Sequence, residues 1–264
     1  MISGHNKAAT KTGISLSLLA FSLLTSLAPA QTRNKPAGDR VTITRRTIRI
    51  VRTGEVARNF PDRRKAVVAY PVISGLPNQE VLRKVRAILD FKNIFETSLR
   101  EYRQDQWLEE FFYEVNYNQN HILDLTFTET GSAAYPDTHH KHFTIDLRRG
   151  TVVKASDVFV AEKLAELASL VNAKLQQELK DSTPEILKGG DISANDLRDL
   201  HDALKFQVEN LNDFEVRNDG LVFLYDAGFP HVIQALQPDG RYRFTYQELK
   251  PYLKPNSLLW QFVD

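Results

Sequence analysis

Alternation of apolar and polar residues marks three groups of β-strands along the chain. The first is a β-rich stretch at 66–73, which ends in turn residues at 74–78. The second is a hairpin of 111–117 and 123–127 around Asn118-Gln119-Asn120, followed by a loop with Gly131 and Pro136 and a strand at 143–147. The third group, near the C-terminus, comprises 214–216, 221–225, 232–236 and 242–246. Period-two alternation between turn residues is the pattern of half-buried strands.

Apolar residues recur with helical spacing between these groups. The spacing from Val81 to Tyr102 predicts one amphipathic helix of roughly 20 residues, with Asn78 as its N-cap. Leu164 to Leu179 form a second stripe, which Pro184 and Gly189-Gly190 should stop. A third stripe covers 197–211 behind a start at Ser193, and a short helix is expected at 247–253.

Strands and helices therefore come in blocks, without strict alternation of strand and helix. This order predicts an α+β fold of antiparallel sheets with packed amphipathic helices. We expect two sub-domains, an N-terminal one over 66–150 and a C-terminal one over 151–264.

Composition excludes several classes of protein. The chain has 264 residues, 42% of them hydrophobic, with a formal net charge of +1 and no cysteine. Cysteine chemistry is therefore excluded, and a disordered chain is implausible. We find no nucleophile elbow, zinc-protease helix, phosphate loop or dinucleotide fingerprint. The sequence therefore indicates no cofactor and favours a protein that is not an enzyme.

Residues 1–30 resemble a secretory signal peptide. Lys7 and Lys11 precede an apolar run at 14–27, and Ala28-Pro29-Ala30 forms a small-residue cleavage site. The run is shorter than the roughly 20 residues of a membrane span, so we expect cleavage near Ala30 and no transmembrane segment afterwards. An uncleaved anchor is the alternative. The pattern predicts a periplasmic or extracellular protein.

Charge divides the chain after the signal peptide. A basic leader or linker at 31–65 carries eleven basic and three acidic residues, whereas 66–264 carry 21 basic and 30 acidic residues, a net of −9. The leader could be an electrostatic arm for an anionic polymer or surface, although export argues against nucleic acid. The arm comprises Arg45, Arg46, Arg49, Arg52, Arg63 and Arg64. Alternatively, it is a solvated edge strand, because 47–51 alternate.

A histidine cluster supplies the best candidate for chemistry. His140 and His142 are expected on one face of a strand with Asp146, which is the beginning of a metal site, whereas Lys141 faces the other way. A metal-dependent hydrolase of envelope polymer is therefore one hypothesis. The alternative is a polar, solvent-facing strand, in which case there is no metal site.

Four stretches in fixed order resemble a known family of envelope domains. They are Tyr70-Pro71-Val72-Ile73-Ser74-Gly75-Leu76, Tyr113-Glu114-Val115-Asn116-Tyr117-Asn118, the loop 131–138 running into 143–150, and Phe244-Thr245-Tyr246-Gln247-Glu248-Leu249-Lys250-Pro251-Tyr252-Leu253. Their order resembles the extracytoplasmic region of RsiV-type anti-sigma factors. The first half also resembles the non-catalytic N-terminal domain of PdaC-type peptidoglycan deacetylases. Tyr135 stands where these families usually have a histidine.

The resemblance implies a binding protein of the cell envelope whose partner is a protein such as lysozyme or a wall glycan. The metal-binding half of the deacetylases is missing, so no deacetylase activity is implied. A structural protein tethered by its Arg-rich arm is a further alternative. The ligand-binding residues expected from the loop and the adjoining strand are Tyr135, Pro136, Asp137, His139, His140 and His142.

Overall fold

Nine strands and eight α-helices make up the part of the chain described by the computed structural model, which comprises residues 39–104, 107–132 and 135–264. The predicted signal peptide lies outside these residues. The strands are β1 (Thr42–Val51), β2 (Lys65–Ser74), β3 (Leu108–Gln119), β4 (Ile122–Ser132), β5 (Pro136–Asp146), β6 (Thr151–Val152), β7 (Phe214–Arg217), β8 (Gly220–Leu224) and β9 (Arg241–Thr245). The helices are α1 (Gly54–Asn59), α2 (Gln79–Ile88), α3 (Phe91–Ile94), α4 (Leu99–Gln104), α5 (Ala155–Val158), α6 (Leu164–Gly189), α7 (Ala194–Asp202) and α8 (Tyr246–Leu249).

Two sheets organise these elements, and the predicted α+β class is confirmed. The large sheet has the order β1-β2-β3-β4-β5-β6 and is antiparallel except for the parallel pair β2–β3, although the sequence pattern predicts antiparallel sheets. A parallel pair needs a crossover connection, and α2 to α4 provide it. The small sheet, β7-β8-β9, is antiparallel.

Two clusters of buried apolar residues form the core. The first lies between the large sheet and its crossover helices and includes Val68, Val85, Phe111 and Phe127. The second packs α6 against the small sheet and the C-terminal segment. The predicted boundary between sub-domains at 150 and 151 stays a prediction.

Several predicted helix and strand boundaries are wrong for local reasons. The predicted helix over 81–102 is interrupted, because Asp90 caps a new helix, α3, by accepting from the backbone N–H of Lys92, and because Glu96 has a positive φ of 58°. The stripe at 197–211 is also divided, into α7 and a 3₁₀ helix at Val208–Asn212. The predicted strand at 232–236 is instead a 3₁₀ helix, His231–Leu236.

Helix α6 continues through Pro184 to Gly189, although proline was expected to stop it. The side chains of Ser182 and Thr183 donate to the carbonyl oxygen of Leu179, within the turn before the proline. The left-handed Gly190 (φ 78°) ends the helix, in agreement with the predicted glycine stop. None of the helices in the described part of the chain combines the length and apolar composition that a membrane span requires.

Candidate functional site

Strands β3, β4 and β5 carry polar side chains on one face, which we call the polar face. His140 is paired with Thr128 and His142 with Thr126 across the β4–β5 ladder, so both histidines project from this face, as the alternation predicts. The opposite face carries Phe127 and Ile145 into the first core cluster. Because β7 packs across β3, β4 and β5, the small sheet covers part of the polar face.

Asp124 is the centre of a buried network between the two sheets. It is fully buried, and its Oδ1 accepts hydrogen bonds from Asn116 Nδ2 (2.8 Å) and His142 Nε2 (2.8 Å). Its Oδ2 accepts from the Thr144 hydroxyl (2.7 Å) and the backbone N–H of Val216 in β7 (2.9 Å). A buried carboxylate with four donors is well satisfied, so this network holds the small sheet on the large one.

His142 is a structural cation in this network. Its side chain is 5% exposed, and its second ring nitrogen, Nδ1, lies 3.4 Å from Asp213 Oδ1. Burial lowers the pKa of His142, but Asp124 and Asp213 outweigh burial and raise that pKa to about 9. The histidine is therefore protonated near neutral pH and bridges β4 to the segment before β7.

His140 lies on the same face but is exposed. Its Nδ1 is 3.1 Å from the Thr128 hydroxyl, and Arg241, Asp226 and Glu114 lie near enough to affect its charge. Partial desolvation of the ring, followed in size by the repulsion of Arg241, lowers the pKa of His140. The ring is therefore neutral near pH 7 and open to a ligand.

Tyr135 forms the exposed end of the β4–β5 connection. Its ring is 60% exposed and stacks on the His231 ring at a centroid distance of 4.9 Å and an interplanar angle of 19°. His231 begins the 3₁₀ helix of the C-terminal half, and the next residue, Val232, is 80% exposed. We call Tyr135, His231 and Val232 the aromatic rim. Pro136, also exposed, begins β5 directly beside it.

His139 and Asp137 face away from the polar face. The Trp107 ring stacks on the His139 ring at 5.5 Å and 26°, and His139 Nε2 lies 3.5 Å from Asp137 Oδ2. The six predicted ligand-binding residues therefore do not converge. Tyr135 and His140 face the C-terminal half, His139 and Asp137 lie beside Trp107, and His142 is buried.

The predicted metal set is not assembled. Asp146 pairs with Arg149 (Nε to Oδ2, 3.2 Å) and accepts a hydrogen bond from the backbone N–H of Arg148. In the described ranges, no three or more histidine, aspartate or glutamate side chains are placed to hold a metal ion. The hydrolase hypothesis stays a prediction.

The predicted electrostatic arm is largely the first strand of the large sheet. Arg45, Arg46 and Arg49 are exposed on β1, as expected of an edge strand with alternating residues. Arg64 is exposed, and Arg63 lies over the ring of Phe60.

The prediction that Arg52 belongs to the exposed arm is wrong, because this residue is 1% exposed. Its guanidinium donates to the backbone carbonyl oxygens of Tyr102 (3.1 Å), Arg63 (2.5 Å) and Leu108 (2.8 Å). It therefore ties the end of β1 to α4 and β3, and it is not available to a ligand.

Besides Asp124, sequence reasoning missed the buried carboxylates of Glu215 and Glu129. Glu215 in β7 is 2% exposed and pairs with Arg217 and Arg241. Burial opposes its ionisation, but the two arginines outweigh burial and lower the pKa of Glu215. Glu129 in β4 accepts a hydrogen bond from the Tyr102 hydroxyl, and burial raises its pKa. In the sequence, both residues are indistinguishable from ordinary polar residues of a strand. No spacing in the sequence predicts their pairing with the arginines or with Tyr102.

Two solved structures share this fold. One is a DUF3298 family protein from Bacteroides fragilis, with a TM-score of 0.54 and 12% identity, and the likeness covers 86% of this chain and 98% of that one. The other is a DUF3298 family protein from Pseudomonas aeruginosa, with a TM-score of 0.53 and 14% identity, covering 83% of this chain and 97% of that one. No family model and no curated protein matches the sequence. The chain thus has the fold of two DUF3298 family proteins, and its resemblance to RsiV and PdaC domains stays a prediction.

Proposed function

We propose that this chain is a secreted, non-enzymatic binding protein of the cell envelope, and that its partner is a basic protein. The observation that carries the proposal is the aromatic rim, where Tyr135 is stacked on His231 beside the exposed Val232. Tyrosine is enriched among the residues that contribute most to protein–protein affinity, because it offers a large contact area at a low entropic cost. Stacking on His231 pre-orders the ring, which lowers that cost further.

Charge supports a basic partner. Residues 66–264 carry a net of −9, and the exposed carboxylates of Glu114 and Asp226 border the polar face near His140. Arg241, which also lies near His140, is paired with Glu215 (2.7 Å). An acidic surface attracts a basic protein and accelerates its association.

Lysozyme is the test case, because the resemblance to the extracytoplasmic region of RsiV-type proteins implies it. We would titrate the full chain with lysozyme by calorimetry at low and moderate salt. Saturable binding that weakens as salt increases is the expected result. Tyr135→Ala should weaken it about tenfold or more, the loss typical of a central aromatic contact.

Leu170→Ala is the matched control, since Leu170 is an exposed apolar residue on α6. It should bind lysozyme like the wild-type chain. Equal weakening by both variants would remove the rim from the interface. Heat with soluble peptidoglycan fragments but none with lysozyme would replace the basic protein by a glycan, and no heat with either would overturn the binding role.

A further inference from the structure

Strand β1 has one unpaired edge. Its ten residues pair with β2 in a continuous antiparallel register from Thr42 opposite Ser74 to Val51 opposite Lys65. No other strand of the described residues lies beside it, because β1 is the first strand of the sheet order. None of its residues makes a backbone hydrogen bond to any described segment other than β2. The outward-facing N–H and C=O groups of a strand about 33 Å long are therefore available for pairing.

The usual protections of a sheet edge are mostly absent here. Edge strands are commonly kept short, interrupted by proline or a bulge, or covered by another element. The opposite edge follows this rule, because β6 has only two residues. Within β1 there is no proline or glycine, and its register with β2 shows no shift, unlike the β3–β4 register. The one protection present is charge.

That charge is positive and uncompensated. Arg45, Arg46 and Arg49 are exposed, and none of them forms an ion pair with a residue in the described ranges. Arg45 and Arg49 project from the same face of the strand, about 13 Å apart, and Arg46 projects from the other. A second copy of this edge would place like charges together, so the arginines oppose self-pairing.

We propose that the open edge of β1 receives an extended, acidic segment of a partner protein, which adds a strand to the large sheet. Backbone pairing would supply affinity, and carboxylates on the added strand opposite the three arginines would supply selectivity. This edge is separate from the aromatic rim, so the proposal does not depend on lysozyme binding.

The probes are a set of ten-residue peptides that alternate glutamate with valine or threonine, with lysine in place of glutamate as the charge control. Binding of fluorescent peptides to the full chain would be followed by anisotropy, and amide exchange of 42–51 by mass spectrometry. We expect the acidic peptides to bind and to slow exchange in β1. The double variant R45E/R49E should lose affinity about tenfold or more, whereas K180E/K188E, which changes two exposed lysines on α6, should not.

Two N-methylated forms of the best peptide separate strand addition from simple charge attraction. One form carries N-methyl groups at the odd-numbered residues of the peptide and the other at the even-numbered residues. Because alternate N–H groups of a strand point to opposite edges, only one of the two forms loses the N–H groups that face β1. Loss of binding by one form alone supports strand addition. Equal binding by both forms, or no acidic peptide binding more tightly than about 1 mM, would overturn the proposal. Loss of lysozyme binding by R45E/R49E would instead show that the two surfaces are one.

Discussion

At the scale of single residues, ionisable groups buried between the two sheets have a structural role. Asp124 accepts four hydrogen bonds from four different partners, and one of them comes from β7. His142 is held between Asp124 and Asp213. A histidine pair in the sequence thus separates into a buried cation, His142, and an exposed neutral ring, His140. Sequence alternation places both histidines on one face but gives no information about which of them the small sheet covers.

The protonation of His142 should make stability fall at alkaline pH. Its pKa in the folded chain is about 9, above the ordinary value of 6.5, so the folded state binds the proton more tightly than the unfolded state. The stabilisation, about 3 kcal/mol, is complete below about pH 6.5 and is lost as the pH rises through about 9. Urea unfolding of the wild-type chain between these pH values should show the decrease.

His142→Gln is the matched variant, since an amide can still donate to Asp124 but does not titrate. The difference in unfolding free energy between the wild-type chain and this variant should shrink as the pH rises. Proton NMR of the wild-type imidazole gives an independent measurement. A titration midpoint below pH 7 would contradict the buried ion pair.

At the scale of elements, caps and turns could be predicted from short-range residues, whereas the ends set by tertiary contacts could not. Asn78 caps α2 as predicted, with its side chain accepting from the backbone N–H groups of Glu80 and Val81. The predicted helix at 81–102 fails because apolar spacing continues across Asp90, where a new cap begins. The contact between the two sheets could not be predicted from short-range residues either. Thr144 and Val216 both donate to Asp124, but they lie more than 70 residues from each other in the sequence.

Gly131 offers a test of how tightly the end of β4 is packed. A Cβ at this position would lie 2.1 Å from the backbone oxygen of Trp107, so Gly131→Ala must move the start of β3. We expect a loss of about 1–3 kcal/mol in the free energy of unfolding, measured with urea.

Gly189→Ala is the control for this substitution. The nearest atom to its added Cβ is 3.8 Å away, and Gly189 is the last residue of α6. Alanine there should be neutral or stabilising by up to about 1 kcal/mol. Equal effects of the two variants would show that β4 adapts to the methyl group.

At the scale of the whole molecule, ring contacts and hydrogen bonds connect the two core clusters. Tyr117 of β3 belongs to the second cluster, where its ring meets Phe262 edge to face. Gln119 donates to Asn218, and Gln261 donates to the carbonyl oxygen of Asn120. The Asp124 network adds a fully buried carboxylate to this junction. Breaking a buried, charged network costs more than breaking exposed pairs, so Asp124 should dominate the coupling between the clusters.

The two tryptophans allow this coupling to be measured. Trp107 packs against the first cluster and Trp260 against the second, so Trp107→Phe and Trp260→Phe leave one fluorescent probe in each. We expect the two probes to report the same urea midpoint, because a cooperative structure unfolds as a unit.

Asp124→Asn in both backgrounds should separate the midpoints, since it leaves the charge of His142 without its nearest partner. The expected loss is about 3–5 kcal/mol. Asp219→Asn removes an exposed carboxylate paired with Arg243 and should cost less than about 1 kcal/mol without separating the probes. If the midpoints already differ in the wild-type chain, or if Asp124→Asn lowers both equally, the clusters are not coupled through Asp124. In that case the contacts of Tyr117 and Gln261 become the next ones to remove.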